Sequence, residues 1–318
     1  MNEMQYALGI DLGGTSVKTG VVDRAGKIIA QAEVPTEAAK GVAAVIANMA
    51  EGARQAVAKA GLTMAQIGGA GIGTPGICNV PDGEVVMAPN LGWRKIPICD
   101  LLGKELGIPV TLENDANCAA LGEQWCGAAK GAQHVVMVTI GTGVGGGLIL
   151  NGRIYSGAKG WAGEIGHMPA VDEGPTCGCG QIGCLETVAS ATAIGRFAQE
   201  AIDAGRAPYL AKRAAEMGKV DARLVIYAAR EGDAVAQSIL NTVAGHLGKV
   251  LGGLVSALNP EAIVVGGGAS AAGDLLLEPL RAVIKTKSLP DPAAFVRVLP
   301  ATLGNDAGLI GAAALVLR

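Results

Sequence analysis

Residues Tyr6–Asp23 read YALGIDLGGTSVKTGVVD. An apolar, β-rich run ends near Asp11, a pair of glycines follows, and a second β-rich run returns from Ser16. That order predicts an antiparallel hairpin, and IIAQAEV after the turn RAGK predicts a third strand. The pattern recurs from His134 as HVVMVTI, GTGVGG and GLILNGRIY. A strand–glycine turn–strand unit that opens each half of a chain predicts two related α/β domains. Their expected extents are 1–115 plus 302–318 for the smaller and 116–301 for the larger. No Pro/Ser-rich linker separates the halves, so the boundary near 115 is expected to be a hinge rather than a tether.

Between the hairpins the pattern continues the α/β theme. Residues 38–60 are alanine-rich with helical spacing and end at Gly61. IGGAGIGTPG reads as a buried strand running into a loop, IPVTLEND as another strand, and ANCAALGEQWCGAA as the helix after it. Helices are expected between roughly 188 and 258, then a strand at EAIVVGGGAS. The apolar tail Gly308–Leu317 is expected to form a helix that packs on the first half.

The chain has 318 residues, 50% of them hydrophobic, enough for a large core and for two domains. A net charge of −3 and 3% aromatics argue against a nucleic-acid partner, which needs a basic surface or stacking platforms. The first residues lack the basic-then-apolar order of a signal peptide, and no uncharged run is long enough for a membrane span. A cytoplasmic location is therefore expected. Thiols stay reduced there, and clustered cysteines favour a metal over a disulfide.

Glycine clusters are abundant, but those at Gly71–Gly76 and Gly141–Gly146 lack the strand–glycine–helix context of a dinucleotide fold, and no P-loop pattern is present. A glycine hairpin can still hold phosphate, because backbone N–H groups converge on an anion with no Cβ in the way. Asp11, Gly13, Gly14 and Thr15 in the first hairpin, and Thr142 and Gly143 in the second, are candidates for a polyphosphate. Gly267 and Gly268, at a strand end, are candidates for the base or ribose beside it. Asp11 is either a turn-capping residue or a magnesium partner, and beside a phosphate hairpin the magnesium role is expected. Asn114 and Asp115 end a strand just before a helix. They read either as a cap or as a general base with a neighbour that positions substrate.

The segment CGCGQIGC, Cys177–Cys184, carries three of the chain's seven cysteines. Structural zinc takes four ligands, and His167 lies close upstream. Cys177, Cys179, Cys184 and His167 are the expected ligands of a closed, structural Zn²⁺ site. A metal that fixes His167 and Cys184 also fixes their neighbours Glu164 and Glu186. The ring nitrogen of His167 away from the metal becomes an oriented N–H donor. Two carboxylates and one donor held this way suit a neutral ligand rich in hydroxyls. The remaining cysteines, Cys78, Cys99, Cys118 and Cys126, read as small apolar residues.

Taken together, GIDLGGTSVKTGVV, ENDANCAALGE, GTGVGGG, GEIGH and CGCGQIGCLE, in this order, resemble the ROK family of sugar kinases and repressors. The resemblance runs from about residue 6 to the last helix. It implies a two-domain actin-like ATPase (ribonuclease H-like) fold with an interdomain cleft, ATP and a hexose as partners, and a homodimer or homotetramer. It implies Asp115 as catalytic base, with Asn114, Glu164, His167 and Glu186 on sugar hydroxyls and Gly76, in TPG, in a loop lying against the sugar. Within the family, APNLGW and GCLETVASATAI are most similar to bacterial glucokinases, which implies D-glucose as substrate. Kinases for fructose, mannose, N-acetylglucosamine or N-acetylmannosamine share the same polar set. Family repressors carry a DNA-binding segment ahead of the first hairpin, for which the expected strand at Tyr6 leaves no room. A non-catalytic sugar sensor is the alternative of another class.

Overall fold

A computed structural model of the chain describes residues 4–318; residues 1–3, the start of the expected first domain, lie outside the described residues. In chain order the elements are β1 (Tyr6–Leu12), β2 (Ser16–Asp23), β3 (Ile28–Pro35), α1 (Val42–Lys59), β4 (Ile67–Thr74), β5 (Ile77–Asn79), β6 (Glu84–Ala88), β7 (Trp93–Ile96), α2 (Ile98–Leu106), β8 (Val110–Asn114) and α3 (Asp115–Trp125). After them come β9 (Val135–Ile140), β10 (Val144–Leu150), β11 (Arg153–Ile154), α4 (Leu185–Ala189), α5 (Ala191–Asp203), α6 (Pro208–Met217), α7 (Ala222–Arg230) and α8 (Ala234–Leu258). The chain ends with β12 (Ala262–Gly266), α9 (Asp274–Lys287), α10 (Pro290–Phe295), β13 (Arg297–Pro300) and α11 (Ala307–Leu317).

Two compact units are formed: Met1–Gln133 with Gly147–Gly163 and Thr302–Arg318, and His134–Gly146 with Glu164–Ala301. The expected boundary at 115 is therefore displaced to 133, and the chain makes a further excursion into the first unit between 147 and 163. The reason is α3. Its small residues lie against α11 so closely that a Cβ on Gly311 would stand 1.6 Å from the carbonyl oxygen of Cys118. Sequence periodicity marks α3 as a helix but says nothing of which surface it meets.

The first unit is built on a five-stranded sheet in the order β3-β2-β1-β4-β8. The β1–β2–β3 meander is antiparallel, whereas β4 and β8 run parallel to β1. Leu8, Ile10 and Leu12 of β1 and Ile72 of β4 are fully buried beneath α1 residues such as Met49 and Ala53. Fully burying side chains of this size stabilises by about 1.5–3 kcal/mol each. The opposite face of the sheet carries α11. A Cβ on Gly71 would lie 1.8 Å from the carbonyl oxygen of Ala312, so only glycine lets the helix backbone rest on β4. A small antiparallel sheet, β5-β6-β7, follows β4. Its strands have three to five residues, too short for the alternation that marks a strand in sequence.

The second unit holds β9, β12 and β13 as parallel neighbours in that order. Ala262–Val265 are fully buried, as a two-sided parallel strand requires. The long helix α8 is capped at its start by Asp233, whose carboxylate accepts from the N–H of Ala236 at 2.8 Å. It ends at Asn259, which takes the left-handed conformation at φ 47°. Gly248 lets α8 approach α9, since a Cβ there would come within 2.5 Å of Val283. No helix among the described residues is long and apolar enough to cross a membrane.

Candidate active site

In the first unit the chemistry gathers at the end of β8. Asn114 is the N-cap of α3: its Oδ1 accepts from the N–H of Ala116 at 2.9 Å and of Asn117 at 3.3 Å. Its Nδ2 donates to the carbonyl oxygen of Gly76 at 3.2 Å. The capping role thus falls to Asn114, whose amide is also tied to the Gly76 loop and to Asp115. Asp115 opens the helix and is only partly buried. Burial holds its carboxyl above the ordinary carboxylate range, opposed by hydrogen bonds from the backbone of the first helical turn and from Asn114. A carboxylate poised this way is a better proton acceptor than a solvated one.

Asp11, at the end of β1, is pushed up to about 6, first by burial and then by repulsion from Asp115, against the pull of Lys18. The two carboxylates therefore share one field, the kind of site a divalent cation relieves. Along the adjoining turn, the N–H of Gly13 already donates to the carbonyl of Ser16 at 3.0 Å. Of the expected phosphate contacts there, Gly14 and Thr15 are exposed. Gly76 has φ +97°, and a Cβ on it would stand 2.2 Å from the carbonyl oxygen of Met87. Glycine is thus obligatory where the loop turns back to meet Asn114.

In the second unit, one ligand atom each from His167, Cys177, Cys179 and Cys184 lies within 4.8 Å of the others. The Sγ atoms of Cys179 and Cys184 are 3.7 Å apart, and Cys177 Sγ is 3.5 Å from His167 Nδ1. A tetrahedral zinc with ordinary bond lengths separates two sulfurs by about 3.8 Å and a sulfur from a nitrogen by about 3.6 Å. A disulfide would need about 2.05 Å. Three thiols and an imidazole are also the donor chemistry zinc takes, and the four residues form a zinc-binding cluster.

The local fold builds this cluster from a tight double-back. Pro169 pairs with Cys184 and Thr176 with Ile182, and Gly180 turns the tip at φ +90°. Cys184 then precedes the short helix α4, which carries Glu186. His167 turns Nδ1 toward the thiols while its Nε2 lies 4.0 Å from Glu164 Oε2. Glu186 lies beside the cluster, with Oε1 3.9 Å from Cys177 Sγ, and its Oε2 accepts from the N–H of Val144 at 3.0 Å. This last bond was not legible in the sequence. It assigns Gly143 a second role, because a Cβ there would sit 2.0 Å from Glu186 Oε2.

The other expected nucleotide contacts are at loop tips. Thr142 is exposed, and its carbonyl oxygen accepts from Thr192 Oγ1 at 2.7 Å. Gly267 is required by packing, since a Cβ would lie 2.5 Å from the backbone nitrogen of Ile140, whereas a Cβ on Gly268 would meet open space. Two buried carboxylates escaped sequence reasoning, Glu113 and Glu123, although both lie inside ENDANCAALGE. Acidic residues in an alanine-rich, apolar stretch were the available signal, since a buried charge demands partners. Of the four scattered cysteines, Cys78 and Cys118 are buried and Cys99 and Cys126 half-buried.

The model of the ROK family matches residues 7–318. The chain belongs to the ROK family. Among similar proteins is a glucokinase of Halalkalibacterium halodurans, 42% identical over 313 residues and covering 98% of this chain and 95% of that one. A glucokinase of Thermotoga maritima is 38% identical over 316 residues, with 97% and 96% covered. A crystal structure of a ROK family glucokinase from Streptomyces griseus in complex with glucose and AMPPNP aligns with a TM-score of 0.83 at 36% identity, covering 98% and 99%. The fold is accordingly the α/β actin-like kinase fold of ROK proteins, with a His/Cys zinc-binding cluster.

Proposed function

We propose that this chain is a cytoplasmic, ATP-dependent hexose kinase whose substrate is D-glucose, converted to D-glucose 6-phosphate. The observation that carries the reading is the 42% identity to a glucokinase along 98% of the chain. The chemistry of the residues supports it. Asp115 accepts the proton of the 6-hydroxyl as that oxygen bonds to the γ-phosphorus of ATP. The bond from that phosphorus to the bridging oxygen breaks, and ADP leaves. Asn114 contacts the sugar, and the loop at Gly76 lies against it. Glu164 and Glu186 accept from sugar hydroxyls, and His167 donates to one through Nε2. With Nδ1 on the metal, the imidazole has one tautomer and one orientation, so its donor is fixed before the sugar arrives. The zinc held by His167, Cys177, Cys179 and Cys184 supplies a rigid frame.

Gly13, Gly14 and Thr15 of one hairpin, and Thr142 and Gly143 of the other, are assigned to the phosphates. Gly267 and Gly268 are assigned to the nucleoside end. Asp11 would hold the Mg²⁺ that accompanies ATP, whose charge would relieve the repulsion with Asp115. A homodimer or homotetramer is the proposed assembly. The test is a coupled assay of ADP release with ATP, polyphosphate or ADP as donor and a panel of hexoses as acceptors, with kcat/KM for each. Highest kcat/KM for glucose with ATP supports the reading. Preference for another hexose moves the substrate, and no transfer to any hexose ends the kinase reading.

A further inference from the structure

Glu113 immediately precedes the Asn114–Asp115 pair, and its side chain is 3% exposed. Its Oε1 accepts from the N–H of Asn114 at 2.9 Å and from Nδ2 of Asn117 at 3.0 Å. Its Oε2 accepts from Ser156 Oγ at 3.2 Å. The carboxylate therefore grips the strand–helix turn with one oxygen and a residue 43 positions away with the other. Asn117 shows how strongly Glu113 organises the turn. A carboxylate only accepts, so the amide of Asn117 must point its nitrogen at Glu113, and its buried Oδ1 is left without a partner. Reversing the amide would set oxygen against oxygen.

Ser156 is the anchor of a closed loop. Its carbonyl oxygen accepts from the N–H of Ala162 at 3.0 Å, and Gly157 begins the turn at φ +70°. The loop tip reaches β5: Gly160 is at φ +81°, and a Cβ on it would stand 2.8 Å from the carbonyl oxygen of Cys78. Cys78 lies two residues after Gly76, whose own carbonyl holds Asn114. The chain thus closes a circuit of short contacts, from Gly76 through Asn114, Glu113 and Ser156 to the loop 156–162 and back to β5. From that loop it runs directly into Glu164 and His167.

We propose that Glu113 is a positioning residue that joins the Asn114–Asp115 turn to the loop 156–162, which makes this loop part of the hexose site. The placement of the catalytic base and the ordering of the loop are then one event. The inference rests on the kinase reading above, and its test separates the two. Ser156→Ala removes only the tether and is expected to raise the hexose KM about three- to tenfold with kcat little changed. Glu113→Ala frees both ends, lowering kcat and raising KM. In that background Ser156→Ala adds nothing, since the tether is already gone. Glu113→Gln restores KM, because its carbonyl still accepts from Asn114 and Asn117 while its amide donates to Ser156.

Hydrogen exchange at the Ala162 amide supplies a readout independent of turnover: faster in Ser156→Ala and Glu113→Ala, restored in Glu113→Gln. An unchanged KM and unchanged Ala162 exchange in Ser156→Ala overturn the proposal. So does an effect of Ser156→Ala on KM that persists undiminished in Glu113→Ala. If the unmodified protein phosphorylates no hexose, the kinase reading fails, and Ala162 exchange alone decides whether Glu113 holds the loop.

Discussion

The Nδ2 of Asn114 donates to the carbonyl oxygen of Gly76 at 3.2 Å. This bond ties the residue before the proposed base to the loop assigned to the sugar, and Gly76 accepts it only in a conformation closed to other residues. Gly76→Ala must move the backbone away from Met87 or strain φ. The expected cost is about 1–3 kcal/mol of stability, read by chemical denaturation, with a higher hexose KM. Wild-type stability and KM in this variant would separate the loop from the site.

Asp115→Asn keeps the size of the side chain and the helix start. Glucose affinity, measured by calorimetry, is expected to hold within a few-fold, whereas kcat falls by about a hundredfold to ten-thousandfold. Turnover at the native rate would remove Asp115 from its role.

Burial raises Asp115, so the acid limb of the kcat profile is expected at a higher pH than an ordinary aspartate would give. Asp11 adds a stability effect of defined sign. Its folded pKa of about 6 exceeds the ordinary value of 3.8, so the folded state binds more protons between those values. Asp11 therefore makes the fold less stable as pH rises from about 4 to about 6. In buffer without divalent cations, Asp11→Asn is expected to stabilise the protein at pH 7 by about 1–3 kcal/mol and to impair phosphoryl transfer. Thermal unfolding of both proteins at pH 4 and pH 7 reads this: the gain must appear at pH 7 and vanish at pH 4.

Cys179 is the exposed member of the zinc-binding cluster, so Cys179→Ser perturbs the core least. Elemental analysis is expected to find about one zinc per chain in the native protein and a large loss in the variant. Glucose KM rises in parallel, because His167 loses the bond that orients it. Full zinc occupancy in the variant would take Cys179 out of the ligand set.

Glu123 is fully buried and is met by four donors: the N–H groups of Ala128, Thr302 and Leu303 and the hydroxyl of Thr302. It fastens the end of α3 to the segment that leads into α11. Glu123→Ala strands those donors and is expected to cost about 3–5 kcal/mol in urea denaturation. A smaller cost in Glu123→Gln would assign the difference to charge.

Much of the fold and site was legible because the signals are local. Apolar, β-rich runs and glycine turns marked the hairpins at Tyr6–Asp23 and Val135–Leu150. Three cysteines and a histidine in one stretch marked the zinc ligands, since a short loop can bring such donors together by itself. The strands of the small sheet from Ile77 to Ile96 could not be told from loop, because three to five residues carry too little periodicity. Glu113 and Ser156 were missed because nothing along the chain links them.

The sequence by itself determined the family and the metal donors, because residue type and close spacing suffice for those. Tertiary structure alone decided that α3 belongs to the first unit, that α11 lies on β1 and β4 through glycine contacts, and that Glu113 holds Ser156. Each depends on which surfaces meet after the chain has folded. A glycine shows in sequence that a close approach is possible, but only packing reveals what approaches.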